Sequence, residues 1–224
     1  MKKKSLKNKS GKRVKLRTKL AKSNAGNNKL RIKHLVSFLF LKVREFALIG
    51  ILSFVLLTLF SIYSYPKFDL AGQYLSDLGV GSTGAFFNSG IMVCALFLLP
   101  LFISFYKPHA FFRQVASFIG IAAMIFFAGI AFFPASMGVI HTSLAGLFFF
   151  CTMITILFVG FDYAKNILRK EKRGFIFVAS FVVLSLLVSS IIIYFLFERT
   201  PFWQKLSVIG AIFWVLIFTF SLKR

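Results

Sequence analysis

Five polar side chains in this sequence have the chemistry to hold or convert a small ligand: Asp77, Asn88, His141, Glu198 and Arg199. Asp77 and Glu198 offer carboxylates, His141 offers an imidazole that can carry a proton, and Arg199 offers a planar guanidinium whose paired N–H groups suit a phosphate. Brought within hydrogen-bond reach, Asp77, His141 and Glu198 would serve as catalytic acid and base, with Asn88 and Arg199 contacting a lipid head group. They are scattered along the chain. Asp77 lies in the run from Tyr74 to Gly79, Asn88 follows Phe87, His141 comes shortly after Phe133-Pro134, and Glu198-Arg199 precede Trp203 and Gln204.

The same residues have a structural use. Helix ends leave backbone groups unpaired, and Asp77, Asn88 and His141 can satisfy them without binding anything else. Asp69 is expected to cap a short interfacial helix running through Leu78 and ended by Gly79 and Gly81, and Ser82 or Thr83 to cap the membrane helix that follows. Glu198 and Arg199 are neighbours that diverge by about 100° on a helix, so each needs another partner. Arg199 is paired here with Asp77, and Glu198 with His141 or Lys205. No metal site is expected, since a catalytic zinc takes three protein ligands rich in His or Cys and this group holds one histidine. No G-x-S-x-G, H-E-x-x-H or P-loop spacing occurs, and no cofactor is implied.

The elements that must position these groups follow from hydropathy. With 58% hydrophobic and 15% charged residues, a chain of 224 residues cannot cover itself with a polar surface in water. Its apolar residues gather into six runs, 46–63, 86–105, 115–133, 139–160, 175–197 and 206–222, each near the length that crosses about 30 Å of hydrocarbon. They are apolar on every face, which suits helices and not the alternating strands of a membrane barrel. The expected fold is an all-α, polytopic bundle of six transmembrane helices.

If the six runs cross the bilayer with both termini inside, 25 of the 28 Lys and Arg residues fall on one side, leaving Lys67, Arg199 and Lys205 on the other. The positive-inside rule reads this as a cell-membrane protein with cytoplasmic N- and C-termini. All five site candidates then emerge on the extracytoplasmic face.

Residues 1–34 carry 14 basic residues and no acid, a composition expected to stay disordered and to attract anionic lipids of the inner leaflet. Residues 35–45 form the end of a segment mixing cations with Leu, Val and Phe, expected to lie at the interface, and 46–222 form the transmembrane domain. The tail lacks aromatic residues for base stacking, so nucleic acid is not an expected partner. Cys94 and Cys151 lie within helices and are read as packing residues. Small residues four apart, Gly90 with Cys94, Ala116 with Gly120 and Ser185 with Ser189, read as contact seams between helices. Asp162 can pair with Lys165 one turn on. No run carries a charge at its centre, where ion-coupled carriers usually place one.

Taken together, Tyr74-Leu75-Ser76-Asp77-Leu78-Gly79, Phe87-Asn88, Phe133-Pro134 with His141, and Glu198-Arg199 resemble the domain-of-unknown-function family 998, prokaryotic six-helix membrane proteins similar in layout to the Frag1/DRAM/Sfk1 group. The resemblance covers about residues 46–222. By analogy it implies lipid handling or assembly of membrane components rather than ion transport. The functional expectation is a non-catalytic component that binds membrane lipids or a membrane-protein partner. A membrane-embedded, lipid-modifying hydrolase or transferase built on the same polar cluster is the alternative.

Overall fold

The computed structural model describes residues 42–164, 177–185, 187–188 and 201–221. Expectations for the basic tail, most of the interfacial segment, Lys165, Ser189, Glu198 and Arg199 lie outside them. The described residues are helical with connecting turns, and contain no strand. In chain order the long helices are α1 (Val43–Ser64), α2 (Gly84–Phe105), α3 (Phe111–Phe132), α4 (Val139–Ala164) and α6 (Pro201–Ser221), and the helical residues at 177–185 and 187–188, between α4 and α6, are called α5. Five of them, α1 to α4 and α6, are long and apolar enough to cross a membrane. The protein is a polytopic helical membrane protein.

Helices are the form these runs must take, because hydrocarbon offers no partner to a backbone N–H or C=O. The bounds shift where polar residues join in. α6 starts at Pro201, five residues before the apolar run at 206, since proline needs no N–H partner in a first helical turn and Gln204 and Lys205 find partners outside the helix. α3 likewise starts at Phe111, four residues early, and takes in Arg113. Pro100 lies inside α2 without ending it.

Lipid as solvent leaves its mark on exposure. Along α1, Leu52, Leu56, Leu59 and Tyr63 make an outward stripe between 56% and 89% exposed, while Ala47, Ile51, Phe54, Thr58 and Ser61 turn inward. Consecutive helices from α1 to α4 pack against each other, and α6 returns to α1. With no water to expel between apolar faces, close packing carries the association. Gly90 meets α1, where a Cβ would stand 3.1 Å from Leu57 Cβ, and Gly120 lies against the Phe102 ring. Cys94 and Ala116 are buried beside them, so both pairs do form seams within the bundle. Phenylalanines fill the rest: Phe54 meets Phe127 edge-on at 5.8 Å, and Phe127 stacks on Phe148 at 4.6 Å, joining α1, α3 and α4. Both cysteines are free thiols.

The helices alternate in direction. The turns at 65–83 and 133–138 therefore lie at the same end of the bundle as the start of α6, and the 3-10 helix Leu75–Gly79 touches both the 3-10 helix Ala135–Met137 and α6. This end is called the rim.

Candidate functional site: the rim

The rim is built from side chains that reach main-chain groups in other segments. Its first loop starts with a tight turn. Asp69 Oδ1 accepts the Ala71 N–H at 2.8 Å, the Gln73 side-chain oxygen accepts the Asp69 N–H at 2.8 Å, and the Asp69 carbonyl accepts the Gln73 N–H at 3.0 Å. The backbone N–H groups of Ala71 and Gly72 hold the exposed Asp69 carboxyl below its ordinary value, and the Lys205 charge adds to this. Asp69 thus closes its own turn and does not cap a helix through Leu78. Its carboxylate is engaged two and three residues on, and the chain leaves the turn before the next helical residues begin.

That next element is Leu75–Gly79, and its cap comes from within. Asp77 Oδ2 accepts the Tyr74 N–H at 2.8 Å, so the carboxylate faces back along its own turn. Further on, Thr83 Oγ1 donates to the Leu78 carbonyl at 2.9 Å, and both residues are buried. Thr83 sits at the start of α2 but makes no side-chain cap there; the Gly81–Thr83 turn feeds the helix instead. The cap expected from Ser82 or Thr83 is replaced because the Thr83 hydroxyl is taken by the buried Leu78 carbonyl, which would otherwise lack a donor. Asn88 Nδ2 donates to the Gly79 carbonyl at 3.1 Å. The fit there is close, since a Cβ on Gly84 would stand 2.7 Å from the Gly79 oxygen.

His141 lies in the first turn of α4, 8% exposed, with Nδ1 2.7 Å from the Phe133 carbonyl oxygen. A carbonyl only accepts, so Nδ1 carries the proton and, in the neutral ring, Nε2 keeps its lone pair. The contact spans the Pro134–Gly138 turn, where Gly138 takes φ +56°. Among the described residues no three His, Cys, Asp or Glu side chains gather into a group able to hold a metal ion.

α6 brings two further side chains. Gln204 Oε1 accepts the Leu75 N–H at 2.9 Å, and the Lys205 ammonium donates to the Gln73 carbonyl and, at 3.4 Å, to the Pro201 carbonyl. Lys205 is also near enough to Asp69 and Asp77 to interact with both charges. Beside it opens a groove of about 350 Å³ lined by Leu70, Ala71, Phe202, Lys205, Leu206 and Ile209.

Of the five sequence candidates, Asp77, Asn88 and His141 belong to the rim, each bonded to main chain, while Glu198 and Arg199 lie outside the described residues. Sequence reasoning gave Asp69 a different cap, missed Gln73 and Gln204 as rim fasteners, and took Lys205 only as a partner for Glu198. One signal for Lys205 was present: a cation inside the first turns of an apolar helix, on a face shared with Phe202 and Ile209.

The opposite end is held differently. Arg113 Nη1 lies 3.6 Å from Asp162, Arg113 Nε donates to the Phe105 carbonyl at 3.1 Å, and Arg44 sits over the Phe220 ring at 4.9 Å. No curated protein and no solved structure matches the chain. Residues 48–222 match the family described as "Protein of unknown function (DUF998)", from the first turns of α1 to the last residues of α6, and the chain belongs to that family.

Proposed function

We propose that this protein is a non-catalytic, lipid-binding component of the cell membrane, with cytoplasmic termini, its rim on the extracytoplasmic side, and its basic tail drawn to anionic lipids of the inner leaflet. The observation that carries the non-catalytic reading is the engagement of Asp77 and His141 with main-chain groups. Asp77 accepts from Tyr74 and His141 donates to Phe133, so two of the three acid and base candidates fasten loops. Lopsided cations support the orientation: of the basic residues, 16 precede Ala47, and the rim end carries few. A membrane-protein partner remains the second occupant to which such a rim is suited.

The second reading, a lipid-modifying hydrolase or transferase, draws on one observation: His141 Nε2 keeps a lone pair once Nδ1 is protonated. The two readings separate when Asp77→Ala and His141→Ala are each expressed and the abundance of folded protein is measured together with cellular lipid composition. Reduced abundance, with wild-type protein that retains lipid through purification without converting it, is the expected result. Normal abundance of both variants with an altered lipid profile would replace the binding reading by the enzymatic one.

A further inference from the structure

The groove beside α6 is an open, apolar trough with an ammonium group in its lining. Its walls come from Leu70 and Ala71 of the first loop and from Phe202, Leu206 and Ile209 of α6, and its volume of about 350 Å³ is within the range of small-molecule sites. Leu70, Phe202 and Ile209 are each about half exposed, so the walls are open to lipid. Lys205 stands one turn into α6, and Ile209 one turn, about 6 Å, further into the apolar span. A polar point above an apolar trough is the order of a phospholipid, phosphate above acyl chain.

Lys205 also has capacity left. Its ammonium carries three N–H donors, of which the Gln73 and Pro201 carbonyls take two. The third can reach a phosphate oxygen as a charge-assisted bond. Charge then selects the head group. Among the described residues, the charges that act on Lys205 are the carboxylates of Asp69 and Asp77, so these three groups together carry one more negative than positive charge. A head group with a net negative charge would add repulsion there, whereas one carrying its own cation would restore balance. The exposed Asp69 carboxylate, adjacent to groove residues Leu70 and Ala71, is placed to accept from a primary ammonium.

We infer that this groove is a binding site for a zwitterionic aminoethyl phospholipid, with Lys205 holding the phosphate, Asp69 the amine, and Phe202, Leu206 and Ile209 one acyl chain. The inference rests on the lipid-binding reading above and gives it a place and a head group.

The test is native mass spectrometry of the full chain in mixed micelles with equal amounts of dioleoyl phosphatidylethanolamine, phosphatidylcholine and phosphatidylglycerol. Wild type is expected to retain the ethanolamine lipid preferentially. Lys205→Met is expected to lower that retention about tenfold, the weight of one hydrogen bond to a charged group, and Lys205→Arg to preserve most of it. Asp69→Asn is expected to shift preference from ethanolamine toward glycerol lipid. Because Lys205→Met also frees the Gln73 carbonyl and can loosen the loop, Ile209→Trp fills the groove without touching the rim, and it too is expected to lower retention. Retention unchanged in both Lys205→Met and Ile209→Trp overturns the site while leaving lipid binding in place. Wild type that keeps no lipid overturns the underlying reading.

Discussion

The two ends of the bundle are fastened by different chemistry. At the rim, Asp77, Thr83, Asn88, His141 and Gln204 each bond a backbone group, and no described contact among them is an ion pair between side chains. At the other end, Arg113 bridges the last carbonyl of α2 and the Asp162 carboxylate of α4, and Arg44 covers a ring of α6. The difference follows from what each end must hold. The long irregular loop at 65–83 exposes many backbone groups, and side chains that donate or accept settle them one at a time. Where turns are short, as at 106–110, helix ends come close enough for one arginine to serve two of them.

Arg113→Ala should have the largest effect. It removes one ion-pair partner of the half-buried Asp162 carboxylate together with the side-chain donor to the Phe105 carbonyl, a loss of about 2–3 kcal/mol in the unfolding free energy of detergent-solubilised protein, with Arg113→Lys falling between the variant and wild type. An Arg113→Ala protein as stable as wild type would remove the distinction between the ends. At the rim, His141→Ala orphans the Phe133 carbonyl and should cost about 1–3 kcal/mol by the same assay. If His141 serves chemistry instead, the loss should appear in lipid composition and not in stability.

Asp77→Ala removes one acceptor from an N–H that water can partly reach, with an expected cost of about 1 kcal/mol, and Asp77→Asn should recover part of it. Thermal unfolding of the pair would sharpen the comparison, since equal losses would mean that charge rather than hydrogen bonding holds the turn. Acid should have the smallest effect. Asp69 has its folded value depressed, so its contribution is present above the ordinary carboxylate value near 4 and disappears as pH falls through the lower folded value. Faster amide exchange at Ala71 and Gly72 in that acidic window, abolished in Asp69→Asn, is the expected signature. No acceleration in wild type would detach Asp69 from the turn.

How much of this was legible beforehand depends on the range of each interaction. Helical form, several membrane spans and the seams at Gly90 and Gly120 follow from hydropathy and residue size, which are local or periodic properties. The start of α6 was read late because Gln204 and Lys205 look like loop residues until their partners, Leu75 and Gln73, are known, and those lie about 130 residues away. Asp69 was misread for the opposite reason. Several N–H groups lie within four residues of it, and sequence does not rank them. His141 was placed at a helix start, but nothing in its neighbours revealed that Phe133 would accept its proton.

The most direct test joins the rim's two most distant segments. Leu75→Cys and Gln204→Cys, in a chain whose Cys94 and Cys151 are replaced by Ala, would be treated on intact cells with a short bis-maleimide that does not cross membranes. A covalent link between the fragments on either side of a protease site cut in the intervening loops is the expected result. Labelling of either cysteine without the link, or protection of both until the membrane is opened, would contradict a convergent rim on the extracytoplasmic face.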